Sequence, residues 1–102
     1  MPITVVAKLK LQPGKEAAFQ EAFRPLLAHV KSAEPGTLTY VLHRSTTDPS
    51  ELLFYEVYAD EAAFAAHGGS EPMKQFFGVV GGLVAGRPEI TMWQEVEGKK
   101  PA

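Results

Sequence analysis

The chain has 102 residues, 45% hydrophobic and 22% charged, with a formal net charge of −2, which describes one ordinary globular domain, expected over 1–102 with a loose tail at 97–102. Lys and Arg are scattered singly, so no basic stripe is available to neutralise phosphates, and nucleic acid is not expected as a partner. The absence of cysteine excludes disulfides, thiolate metal sites, iron–sulfur clusters and a Cys nucleophile, while no window approaches the length of a membrane span or a signal peptide, so a cytoplasmic protein without a membrane partner is expected.

From Ile3 to Leu11 apolar residues alternate, which predicts a first strand ending at the turn Gln12-Pro13-Gly14. Ala18, Phe19, Ala22, Phe23, Leu26, Leu27 and Val30 then follow the i, i+3, i+4 rule of an amphipathic helix. Glu34-Pro35-Gly36 should end it, and Pro25 should kink it. Strands are predicted over 38–44 and 52–58, joined as a hairpin by the turn signal Thr46-Thr47-Asp48-Pro49-Ser50. Asp60 stands where a helix N-cap is wanted, helical signals run over 61–67 and again over 71–84, and a last strand is expected over 90–96.

The order βαββαβ implies an α+β, ferredoxin-like domain: a four-stranded antiparallel sheet with its helices on one face. The other face would then lie uncovered, and two such sheets packed face to face would cover each other, so a homodimer is expected.

The segment FYEVYADEAAFAAH, residues 54–67, carries the most chemistry. Side chains alternate along a strand, so Phe54, Glu56 and Tyr58 share a face on which they could meet His67. His67 is the candidate base, because an imidazole titrates near neutrality; a structural hydrogen bond near a helix C-terminus is the plainer account of it. In an apolar pocket Glu56 would resist ionisation and could orient His67 or a substrate hydroxyl, whereas a cross-strand pair with Lys or Arg is the plainer account. Tyr40, Tyr58, Phe76, Phe77 and Trp93 would suit a planar substrate, or would simply be core. His43 and Arg44 end the second strand on opposite faces, so only one can point toward the helices.

Other signals are missing. His29, His43 and His67 have no short metal-ligand spacing, so no metal is expected. Glycines 78, 81, 82 and 86 follow a helix and precede a strand, the wrong context for a phosphate loop. The serines lack a nucleophile-elbow setting.

Taken together and in order, LQPGKEAAF, EPGTLTYVLHR, FYEVYADEAAFAAH, MKQFF and LVAGRPEI resemble the antibiotic biosynthesis monooxygenase (ABM) domain family over nearly the whole chain. The resemblance implies a dimeric α+β barrel, and several members oxidise phenolic or anthrone-type aromatics with O2 without flavin, haem or metal. Others degrade haem or process a small phosphorylated signalling sugar. The haem-degrading branch resembles an Asn, a Trp and a ligating His where this chain has Ala7, Tyr58 and Phe77, so haem degradation is not expected. In HGGSEPMK, Pro72 occupies a place where many relatives carry His, which removes one candidate acid or base.

The resulting expectation is a cofactor-independent monooxygenase acting with O2 on a small aromatic substrate such as a quinol, phenol or anthrone. His67, Glu56 and Tyr58 are its expected catalytic residues: His67 the base, Glu56 its orienter or a substrate anchor, Tyr58 a donor to the developing anion. Phe54, Phe76, Phe77, Trp93 and His43 are the expected substrate-binding residues. A non-catalytic ligand-binding or stress-related dimer, and an isomerase or lyase of a small oxygenated metabolite, are the alternatives from other classes.

Overall fold

The computed structural model describes residues 1–101; the end of the expected tail, residue 102, lies outside them. The elements run β1 (Ile3–Lys10), α1 (Glu16–Ala33), β2 (Thr37–Arg44), β3 (Glu51–Tyr58), α2 (Glu61–Gly68), α3 (Glu71–Val80) and β4 (Glu89–Trp93). The strands form one sheet in the order β2-β3-β1-β4, antiparallel throughout, so the fold is the expected ferredoxin-like α+β domain.

Local chemistry places the boundaries. Gly14 takes φ 78 in the turn after β1, a conformation that costs a residue without Cβ nothing. Asp60 accepts a hydrogen bond from the Ala63 N–H at 2.8 Å, and Ser70 accepts one from Met73 N–H at 3.3 Å, so both short helices start on side-chain caps. In the β2–β3 hairpin the Asp48 carboxylate accepts from both the amide and the hydroxyl of Ser50. Helix α1 continues through Pro25, which sits on its exposed side, where water can serve the carbonyl that loses its partner.

Two expected ends differ. Helix α3 stops at Val80 rather than reaching residue 84, because Leu83 and Val84 turn back onto Val80 and Val84 bridges to Leu11. Strand β4 stops at Trp93 rather than residue 96, because its pairing with β1 runs out at Thr4 opposite Trp93 and β1 itself begins at Ile3. Residues 94–101 form no helix or strand.

The core lies between the sheet and the helices. Phe19, Phe23, Leu26 and Val30 of α1 and Phe76 and Val80 of α3 are buried against Ala7, Leu52 and Phe54 of the sheet. Phe19 meets Phe76 edge-on at 5.4 Å between centroids, and Phe23 meets Phe54 likewise at 5.3 Å, geometry that aromatic quadrupoles favour. The opposite sheet face carries the alternate residues, and Val41, Tyr55 and Trp93 are exposed there.

Candidate active site

The helix-covered face of β3 is apolar at Leu52 and Phe54 and becomes polar at Glu56 and Tyr58, all four buried. Tyr58 donates its hydroxyl hydrogen to Glu56 Oε1 at 2.5 Å. Glu56 lies opposite Val5 on one side and Tyr40 on the other, so it has no cross-strand Lys or Arg. Burial pushes its carboxyl above the usual range, only partly opposed by the Tyr58 hydrogen bond and by the electrostatic influence of the nearby His67. Burial likewise pushes the Tyr40 and Tyr58 hydroxyls up, so both remain protonated donors at neutral pH.

His67 ends α2 at the position the sequence suggests and is 2% exposed. Its ring packs edge-on against Tyr40 at 4.8 Å and lies tilted against Tyr58 at 5.4 Å, which brings it into the company of the β3 pair. The carboxylate that holds it is Glu34, not Glu56. His67 Nδ1 lies 2.8 Å from Glu34 Oε1, an oxygen that also accepts from the Thr37 hydroxyl at 2.7 Å. Glu34 is therefore the residue that sequence reasoning missed. It stands in the EPGT turn, where its visible job is to end α1, and nothing local points toward a residue three elements further on.

The second oxygen of Glu34 lies 3.1 Å from His29 Nε2 and makes no hydrogen bond to it. His67 Nε2 is buried and has no hydrogen-bond partner among the described residues. Native proteins satisfy most buried polar atoms, so a bare ring nitrogen in an aromatic enclosure is a mark of a site. The cluster thus joins a carboxyl whose pKa burial raises, a phenol and an imidazole with one free nitrogen, the components of proton transfer to or from a bound hydroxyl or acidic C–H.

The expected substrate-binding residues divide. Phe54 is buried beside the cluster and stacks on Tyr40 at 5.5 Å, and Phe76 is buried against Phe54, edge-on at 6.4 Å. Phe77, Trp93 and His43 are not brought to it. Phe77 lies one helical step beyond the inward stripe of Met73, Phe76 and Val80 and is 54% exposed. Trp93 pairs with Thr4 and His43 with Leu53, neighbours of the buried Val5 and of the buried Leu52 and Phe54, so period-two alternation puts both on the uncovered face. His43 lines a cleft of about 530 Å³ with Lys8, Lys10, Arg44 and Arg87, and Trp93 another of about 740 Å³ with Met1, Asp60 and Met92. Neither cleft, nor a smaller one of about 240 Å³ between α1 and the end of the sheet, reaches Glu56, Tyr58 or His67. Among the described residues no group of three His, Asp or Glu side chains is arranged to hold a metal ion.

Known proteins share this architecture. A Caulobacter crescentus CB15 protein described as a candidate antibiotic biosynthesis monooxygenase is 42% identical and superposes with a TM-score of 0.89 over 94% of this chain and 91% of its own. A conserved protein of Methanosarcina mazei Go1, 24% identical, gives a TM-score of 0.88 over 94% of each chain and speaks for the fold alone. The uncharacterized Synechocystis protein sll1783 is 27% identical over 96 residues, 94% of this chain, which spans 65% of that relative's length. The family model for antibiotic biosynthesis monooxygenases matches residues 2–79, and the chain belongs to that family.

Proposed function

We propose that this protein is a cofactor-independent monooxygenase that oxidises a small electron-rich aromatic, a quinol, phenol or anthrone, with O2 beneath its helices. The observation that carries the reading is the bare, buried Nε2 of His67 among Tyr40, Tyr58 and Glu56. O2 reacts slowly with closed-shell organics, but an aromatic anion can give it one electron, so the protein need only exclude water and remove a proton. In the anthrone case the ring CH2 becomes C=O with one oxygen atom, and the second leaves as water with the two displaced hydrogens. His67 takes the first proton, and Tyr40 and the Glu56–Tyr58 pair supply hydrogen bonds to the developing oxyanion. Phe54 and Phe76 form the apolar floor.

The working form in this reading is a homodimer assembled through the uncovered sheet face, where Val41, Tyr55 and Trp93 would leave water. A cytoplasmic location fits this chemistry, and none of the helices among the described residues is long and apolar enough to cross a membrane.

A second reading, a non-catalytic binding module, is favoured by one observation: the three clefts do not open onto the cluster. Oxygen uptake by metal-free protein with a panel of quinols and anthrones, corrected with heat-killed protein, separates the two. The monooxygenase shows enzyme-dependent uptake that falls about 10²–10⁴-fold in His67→Ala, the usual worth of a general base. Saturable binding without uptake identifies the binding module, and turnover that persists without oxygen identifies an isomerase or lyase.

A further inference from the structure

We propose that Glu34 is the positioning residue of His67 and passes the proton that His67 collects to His29, which releases it to solvent. This rests on the reading of His67 as the base, and it assigns work to two residues outside the β3–α2 segment.

The geometry has a direction. Glu34 is nearly buried and sits between two histidines, with Oε1 at 2.8 Å from His67 Nδ1 and Oε2 at 3.1 Å from His29 Nε2. The inner histidine is sealed off, whereas the His29 side chain is 28% exposed. An ionised carboxylate can only accept, so the hydrogen in the inner contact belongs to His67 Nδ1, and the neutral ring then presents a lone pair at Nε2. The Thr37 hydroxyl, donating to the same Oε1, braces the carboxylate from β2. The other polar groups around His67 are Tyr40 on β2 and Glu56 and Tyr58 on β3, and Glu56 is already bonded to Tyr58 rather than to the imidazole.

The proton count closes at each step. His67 Nε2 accepts a proton from the substrate, and Nδ1 gives its own to Glu34 Oε1. The protonated carboxyl turns to carry its hydrogen from the Oε1 side to the His29 side, where the Nε2 lone pair of the outer ring takes it. His29 then loses one from Nδ1 to water. Glu34 returns ionised. When the oxygen that leaves as water takes up the proton on His67 Nε2, the same path runs in reverse: water re-protonates His29 Nδ1, His29 Nε2 returns its proton to Glu34, and Glu34 re-protonates His67 Nδ1, which restores the starting tautomers. No electron moves along this path, so it serves equally any proton abstraction at Nε2.

Nitrogen NMR of the full chain labelled at histidine tests the positioning without any substrate. The expected spectrum shows neutral His67 protonated on Nδ1, and Glu34→Ala loses that preference. A wild-type His67 protonated on Nε2, or an unchanged tautomer in Glu34→Ala, overturns the proposal. Should Glu34→Ala fail to fold, Glu34→Gln serves: its amide oxygen still accepts from Nδ1, but it cannot carry a proton. With a substrate that supports oxygen uptake, Glu34→Gln and His29→Ala lower kcat about 10–100-fold, as loss of such supporting partners usually does, with little change in KM. Added imidazole restores turnover in His29→Ala, a rescue that a merely structural role would not show. Wild-type kcat in Glu34→Gln, or no rescue of His29→Ala, overturns the relay. If the wild type takes up no oxygen, the monooxygenase reading fails, and the tautomer measurement still decides whether Glu34 positions His67.

Discussion

Glu34 and His67 are 33 residues apart in the chain and 2.8 Å apart in the fold, where they join the last residues of α1 to the last turn of α2. Breaking a buried, charge-bearing contact of this kind strands its partner. Glu34→Ala is expected to cost about 1–3 kcal/mol of stability, the penalty of leaving a buried polar group unsatisfied, read as a lower urea midpoint. An unchanged midpoint would show the contact to be dispensable for the fold.

Glu56 makes stability depend on pH in the opposite sense to an ordinary surface acid. Burial raises its pKa above the usual 4.5, so the folded protein holds this proton more tightly than the unfolded chain. Its contribution is therefore best below 4.5 and is lost as pH rises above it. Glu56→Gln keeps an acceptor for Tyr58 and removes the titration. The melting temperature of wild type relative to Glu56→Gln should fall between pH 4 and pH 8, and a difference independent of pH would contradict the assignment.

Asp48 behaves the other way. Hydrogen bonds from the Ser50 hydroxyl and Lys10 hold its carboxyl down at about 2, against an ordinary 3.8. That stabilisation is complete above 3.8 and disappears as pH falls through about 2. Asp48→Asn should lower the urea midpoint at pH 6 and make no difference near pH 1.5. Because the group is exposed the effect is small, and added salt should weaken it.

Gly36 links the fold to the site. A Cβ placed there would stand 2.6 Å from the Ala63 Cβ in the first turn of α2. Gly36→Ala must push α2 away from the β2 end of the sheet, at about 1–3 kcal/mol for an overpacked contact. Since α2 carries His67, the same variant should also disturb the His67 ring environment by NMR. Gly36→Ala with wild-type stability and spectrum would mean that this contact relaxes freely.

The uncovered sheet face predicts assembly. Sedimentation of the wild type at micromolar concentration should give a dimer, and Tyr55→Glu or Val41→Lys, which put charge into the apolar face, should shift it toward monomer. A monomeric wild type would remove the dimer from the proposed function.

The sequence alone determined the order of elements, the Asp60 cap, the inward face shared by Phe54, Glu56 and Tyr58, and the burial of Phe19, Phe23, Leu26 and Val30. Each of these follows from periodicity or from a contact within four residues, where the backbone geometry of one element decides which side chains share a face. Only the tertiary structure decided the rest. The face of His43 depends on the β2–β3 register, which shifts between Thr37 and Thr39, and that of Trp93 on which β1 residue its strand meets. A slip of one residue reverses either answer. Phe77 sits at the margin of its helical stripe, where packing against α1 chose Phe76 instead. Glu34 reaches His67 because α1 and α2 end at the same edge of the sheet, a juxtaposition made by chain topology and carried by no local pattern.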